Sequence, residues 1–256
     1  MRRAGTAVVL LAALVAALIV LPRAGILVLM ALVAGAAAFE WARLCAVHAP
    51  LYAAAVVLAL LLAFWAGVSQ GMFLLAAAFW LLAAPAWLWV RVGPEHRAAL
   101  AAAGFVVLVP AALAMVLLEP GEALLVLAVA WIADTGAYFA GTRWGRRKLA
   151  PAISPGKTWE GAAGGLIGAA AYAMILSLIL AGAQATRMAA FVGAAALLVT
   201  VSIVGDLFES AAKRQAGVKD SGALLPGHGG VLDRIDSATA VLPVAALVVP
   251  FLKGPA

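Results

Sequence analysis

Long apolar runs, broken at intervals by short polar clusters, set the architecture of this chain. A helix needs roughly 20 apolar residues to cross a bilayer. Punctuation by charge, proline and glycine then predicts about nine spans. They fall near 4–21, 24–42, 51–68, 72–90, 98–118, 123–140, 160–182, 188–206 and 228–252. Two polar stretches separate the later spans, at 141–159 and 207–226, and the second is expected to be helical. The predicted fold class is all-α, a polytopic integral membrane protein. Residues 1–122 read as a transmembrane scaffold of about five helices. Residues 123–256 read as a second transmembrane region that carries the polar loops. The first 21 residues could also be a secretory signal, but no small-residue cleavage site precedes Pro22-Arg23 and another apolar run follows at once.

Composition supports the bilayer reading. The chain is 67% hydrophobic and 11% charged, with a mean hydropathy of +1.13. Soluble domains run about 45–50% apolar and about 25% charged. The net charge of +6 is then a topology signal and a hint of anionic partners, and no nucleic-acid partner is expected. With the N-terminus placed in the cytoplasm, only Arg23, Arg187 and Lys253 among the lysines and arginines fall on the outer side. That is the asymmetry the positive-inside rule describes. It puts both long polar loops at the inner face. Cys45 is the single cysteine, which excludes an intrachain disulfide and a multi-cysteine zinc site. Trp41, Trp87, Trp89, Trp144 and Trp159 stand near span ends and read as an interface belt, and Glu40 as a residue that snorkels to the interface. Gly161, Gly164, Gly165 and Gly168 at the start of the 160–182 span read as a close helix-packing surface.

Polar chemistry is concentrated in residues 202–236. Asp206 closes one predicted span, Asp233 and Asp236 open the next, and Asp134 lies toward the inner end of an earlier one. A charged group in a span costs about 2.5–3.5 kcal/mol on insertion scales, so such groups are kept for function or for pairing. Helix ends that bring aspartates to one depth suit a hard cation such as Mg²⁺, which takes carboxylate, phosphate and water oxygens. Structural ion pairs, for instance Asp206 with Lys213, are the plain alternative. The cations Arg143, Arg146, Arg147 and Lys148 read as topology anchors or anionic-lipid contacts. Lys157 differs, because it follows Gly156 and precedes a helix start, a geometry suited to gripping phosphate. The upstream glycine spacing of a P-loop is missing. Pro226-Gly227-His228-Gly229-Gly230 is a tight turn with bare backbone that can approach a nucleotide closely. Ser202, Asp206 and Ser210 share one helix face if the helix continues past Asp206. His48 and His96 read as solvated loop residues.

The stretch Ser210-x-x-Lys213-Arg214-x4-Lys219-Asp220-x-Gly222-x2-Leu225-Pro226-x-His228-Gly229-Gly230-Val231-x-Asp233-Arg234-Ile235-Asp236 closely resembles the signature of the phosphatidate cytidylyltransferases, or CDP-diacylglycerol synthases. Asp134-Thr135-Gly136-Ala137-Tyr138-Phe139 and Ser154-Pro155 to Gly161 agree with the same family. The resemblance covers roughly residues 130–240, and Gly156 and Ala212 depart from its usual residues. It implies that CTP and phosphatidic acid react to give CDP-diacylglycerol and pyrophosphate. The implied cofactor is Mg²⁺, with a second, monovalent cation as a further expectation. On this reading Asp206 and Asp233 hold metal, with Asp236 supporting and Asp134 as a further candidate. Lys157, Lys213, Arg214 and Lys219 neutralise phosphates. Ser202, Ser210, His228, Gly229, Gly230 and Arg234 line the substrate pocket. The expected location is a bacterial inner membrane with the site facing the cytoplasm, and a homodimer is the expected assembly. Two other readings stay open. A CTP-dependent kinase or nucleotidyltransferase of another lipid would share the chemistry. A transporter would share the intramembrane aspartates but usually shows repeated halves, which this chain lacks.

Overall fold

The computed structural model describes residues 2–90, 93–182, 184–222, 224 and 229–253. Ten α-helices account for nearly all of them. These are α1 (Arg2–Val20), α2 (Arg23–Leu44), α3 (Ala49–Ala66), α4 (Ser69–Ala78), α5 (Ala84–Val90), α6 (Arg97–Leu117), α7 (Pro120–Trp144), α8 (Trp159–Ala181), α9 (Ala185–Gln215) and α10 (Leu232–Lys253). A π-turn over Phe79–Ala83 joins α4 to α5, so the two run as one 22-residue span, Ser69–Val90. Pro85 lies at the start of α5 and has no N–H to donate, which favours a widened turn just before it. Eight helical segments among the described residues are long and apolar enough to cross a membrane. The chain is therefore an all-α polytopic membrane protein.

Helix starts follow local chemistry. Pro120 opens α7 at the first helical position, and the Glu122 carboxylate accepts from the Glu119 N–H at 3.1 Å. Thr158 caps α8 by accepting from the Gly161 N–H at 3.1 Å. In α7 and α8 small residues let two backbones touch. A Cβ on Gly136 would meet the Gly164 carbonyl oxygen at 2.7 Å, and one on Gly165 the Ala133 carbonyl oxygen at 2.8 Å. The glycine surface expected at 161–168 is thus a packing surface.

Three sequence expectations need correction. The stretch 141–159 is not an irregular loop: α7 runs to Trp144, and Lys148–Ala150 (β1) pairs antiparallel with Ser154–Thr158 (β2). The Glu160 carboxylate holds this hairpin by accepting from the backbone N–H groups of Arg146 and Arg147 at 3.0 and 3.1 Å. Second, no break separates the 188–206 span from the polar helix after it. α9 is continuous for 31 residues, which is roughly 46 Å at 1.5 Å per residue. That exceeds the roughly 30 Å hydrocarbon core, so its last turns carry polar residues past the apolar zone. Third, Trp41 is not in an interface belt. It is 1% exposed, lies 6.2 Å from Phe208 ring to ring, and donates its indole N–H to the Leu100 carbonyl at 2.9 Å. Phe79, Trp80 and Trp87 surround the same Phe208. This aromatic plug fixes α9 against the N-terminal helices one residue before Glu209. Trp89, Trp144 and Trp159 are exposed, as a belt requires.

Candidate active site

Four elements deliver charged groups to one region. The β-hairpin brings Lys157, whose ammonium pairs with Asp206 Oδ2 on α9. Asp134 on α7 and Asp236 on α10 lie close enough to Asp206 and Lys157 for their charges to act on one another. The continuity of α9 places Ser202, Asp206 and Ser210 four residues apart on one face, and the Ser210 hydroxyl reaches Asp206 Oδ1 at 3.4 Å. Ser202 is buried one turn below. The alternative of a structural pair between Asp206 and Lys213 does not form; the hairpin supplies the partner instead.

A second group sits one to two turns further along α9. The Lys213 ammonium donates to Glu209 Oε2 and to Asp233 Oδ1, both at 2.7 Å. Asp233 Oδ2 accepts from the Ser221 N–H at 3.1 Å and the Gly230 N–H at 2.8 Å, and stands 3.0 Å from the Ser221 hydroxyl. Gly229 adopts φ 81°, in the left-handed region that disfavours side chains. A Cβ there would also meet Asp233 Oδ2 at 2.6 Å. The glycine pair therefore exists so that backbone can wrap this carboxylate.

The sequence reading missed three members of this group. Glu209, buried beside Lys213, and Ser221, beside Asp233, were not singled out. Glu40 was expected at the interface, but it is 1% exposed, and its oxygens accept from the Val231 and Leu232 N–H groups at 3.0 and 2.9 Å. The reason is geometric: the first turn of α10 comes to rest on α2 and offers unpaired N–H groups there. The only sequence signal was a carboxylate inside an apolar run with no basic neighbour closer than Arg43.

Other expected residues are not gathered. Arg214, Lys219 and Asp220 are exposed near the end of α9, and Arg214 donates to the Val218 carbonyl at 3.1 Å. Arg234 points to the other face of α10. There, with Val231, Ile235, Ala238 and Leu242, it lines an apolar cavity of about 610 Å³ shared with α1, α2, α6 and α7. His228 lies outside the described residues.

The donor set bears on metal. Among the described residues no three His, Cys, Asp or Glu side chains converge on a point. Mg²⁺ needs only one or two carboxylates when phosphates and water complete its shell. Asp206 and Asp236 fit that demand. Among the described residues Asp236 Oδ1 accepts only from its neighbouring Ser237 N–H. Both Asp206 oxygens are engaged, but by the partly exposed Lys157 and by Ser210, whereas both Asp233 oxygens are engaged by more deeply buried groups.

Comparison with known proteins agrees with this geometry. Residues 1–252 match the model of the cytidylyltransferase family. The phosphatidate cytidylyltransferase of Pseudomonas aeruginosa is 43% identical over 225 residues, 82% of each chain. Those of Haemophilus influenzae and Thermotoga maritima are 51% and 44% identical over 124 and 136 residues. These two alignments cover 47% and 52% of this chain and 42% and 50% of the relatives. A match over almost the whole length places this chain in the cytidylyltransferase family.

Proposed function

We propose that this protein transfers the cytidylyl group of CTP to phosphatidic acid, giving CDP-diacylglycerol and pyrophosphate. The observation that carries the reading is that four separate elements bring Asp134, Lys157, Asp206 and Asp236 into one region beside the Lys213 group. A phosphate-monoester oxygen of the lipid forms a bond to the α-phosphorus of CTP, and the bond from that phosphorus to the β-bridging oxygen breaks. The nucleophile is already anionic near neutral pH, so the site needs no strong base. It needs alignment and neutralisation of phosphate charge.

Lys157 and Lys213 meet the triphosphate and the lipid phosphate, with the exposed Arg214 and Lys219 drawing the nucleotide in. Asp206 and Asp236 would hold Mg²⁺, which would supply neutralisation of phosphate oxygens. Lys157, placed on a hairpin rather than a helix, can leave Asp206 and turn to phosphate. Asp134 orients Lys157 or serves a monovalent cation. Asp233, with both oxygens engaged, holds Lys213 in place rather than binding the metal directly. The basic residues clustered on one side of the bilayer support a cytoplasmic site in a bacterial plasma membrane.

Purified protein in detergent with CTP, phosphatidic acid and Mg²⁺ is expected to release pyrophosphate and form CDP-diacylglycerol. Absence of pyrophosphate with phosphatidic acids of several chain lengths would overturn the reading, and release of CDP in its place would favour a kinase.

A further inference from the structure

Glu40 is a buried carboxylate without an ion-pair partner among the described residues. Burying such a group is costly unless hydrogen bonds replace its water. Here they come from one place. The Val231 and Leu232 N–H groups at the start of α10 and the Ser221 hydroxyl, at 3.0, 2.9 and 3.0 Å, all serve Glu40. The donors lie 181 to 192 residues away in the chain. The positive end of the α10 dipole adds to the attraction.

Two signature glycines are shaped around the same carboxylate. A Cβ on Gly222 would collide with Glu40 Oε1, and one on Gly230 with Glu40 Oε2 and Ser221 Oγ. Ser221 and Gly222 on the α9 side and Gly230 to Leu232 on the α10 side thus both close over Glu40. Ser221, whose hydroxyl donates to Glu40, holds Asp233 through its backbone N–H, and Asp233 holds Lys213. Every bond in this relay is 3.1 Å or shorter.

We propose that Glu40 is a positioning residue for nucleotide binding. From the N-terminal half it fixes the α9–α10 connection, and through Ser221 and Asp233 it aims the Lys213 ammonium at the CTP triphosphate. The inference rests on the reading of Lys213 as a phosphate-binding group.

Glu40→Gln keeps the size of the side chain but turns an amide NH₂ toward backbone N–H donors. It is expected to weaken CTP binding, measured by titration calorimetry, by about 30-fold, the middle of the range for residues that orient a ligand-binding group. The KM for phosphatidic acid should move less than about threefold by comparison. Leu60→Ala, in the core of α3 and with no hydrogen bond to this network, serves as the stability control. It lowers the unfolding temperature and leaves CTP affinity unchanged. Ser221→Ala removes only the hydroxyl of the relay and shifts affinity in the same direction by a smaller factor. It is the variant to read if Glu40→Gln does not extract as a folded protein. Unchanged CTP affinity in Glu40→Gln or, failing that, in Ser221→Ala overturns the proposal, as does an equal loss in Leu60→Ala. Pyrophosphate release from the wild type reads the reaction, and the ratio of CTP dissociation constants reads Glu40, so the two fail separately.

Discussion

Two lysine–aspartate pairs lie close together in this protein and are built in opposite ways. Lys157 and Asp206 are each more than a quarter exposed, and the lysine is delivered by a two-stranded hairpin. Lys213 and Asp233 are 12% and 7% exposed, and both are tied to further buried partners. Either pair looks in sequence like a cation beside a carboxylate. The first can exchange partners without disturbing the fold, because water can take over either charge. The second cannot, because without Lys213 the carboxylates of Asp233 and Glu209 would face each other with no cation, and without Asp233 the Ser221 and Gly230 N–H groups would lose their acceptor. A site that must admit and release highly charged substrates needs one element of each kind: a fixed charge to define the geometry and a movable one to let ligand displace it.

Asp206→Asn tests this contrast most directly. Pyrophosphate release should fall by about 10³-fold, the upper range for removing an electrostatic group at a reacting centre, with an unchanged unfolding temperature in detergent. Asp233→Asn should lose activity to a similar degree and also lose stability, by about 3–5 kcal/mol, the range for breaking a buried pair. If Asp206→Asn unfolds the protein, or Asp233→Asn leaves the unfolding temperature unchanged, the two pairs are not different in kind.

The lysines should follow their partners with smaller effects. Lys157→Met is expected to raise the KM for CTP and cost about 10²-fold in kcat/KM, with native stability. Lys213→Met leaves Glu209 and Asp233 facing each other without a cation and should cost stability as well. Equal unfolding temperatures for the two variants would remove the distinction.

Much of this arrangement was legible in the sequence, for a physical reason. Spans, the basic asymmetry and the 210–236 signature are local patterns, and the bilayer penalises any other reading of apolar runs this long. The face shared by Ser202, Asp206 and Ser210 followed from helical spacing alone. What escaped was set by long-range packing. Glu40 sits among Ala38, Phe39, Trp41 and Ala42, where a carboxylate at a span end normally reaches for water. Only the arrival of α10 on α2 gives it backbone donors. The hairpin escaped because Pro155 and Gly156 are poor strand residues; Glu160 and the backbone of Arg147 hold it together. The partner of Asp206 could not be chosen from sequence, since Lys157 and Lys213 carry the same charge and only the path of the chain decides between them.

Gly229→Ala probes the fixed pair through its backbone. The substitution meets both a positive φ and the Asp233 carboxylate. A strained residue of this kind costs about 1–3 kcal/mol. Activity should fall by about tenfold, less than for Asp233→Asn, because the carboxylate itself is kept. A wild-type rate would mean that the wrap around Asp233 adjusts freely and that the pair is not rigid.

The smallest expected effect concerns Cys45, which caps the end of α2 just beyond Glu40 and Trp41 and is 1% exposed. Burial pushes its thiol up to about 12, outweighing the opposing hydrogen bond with Trp41. The neutral thiol therefore dominates well past pH 8, and a thiolate-directed reagent such as a maleimide should leave activity unchanged there. The sign of the shift gives a sharper test. An ordinary exposed thiol titrates near 8.5, so its labelling rate levels off above about pH 9. Labelling of Cys45 should instead keep rising by about tenfold per pH unit up to pH 10, because the thiolate fraction is still climbing. A plateau near pH 9 would show that the end of α2 opens to water, and the fixed side of the site would then rest on a less rigid base than the Glu40 network requires.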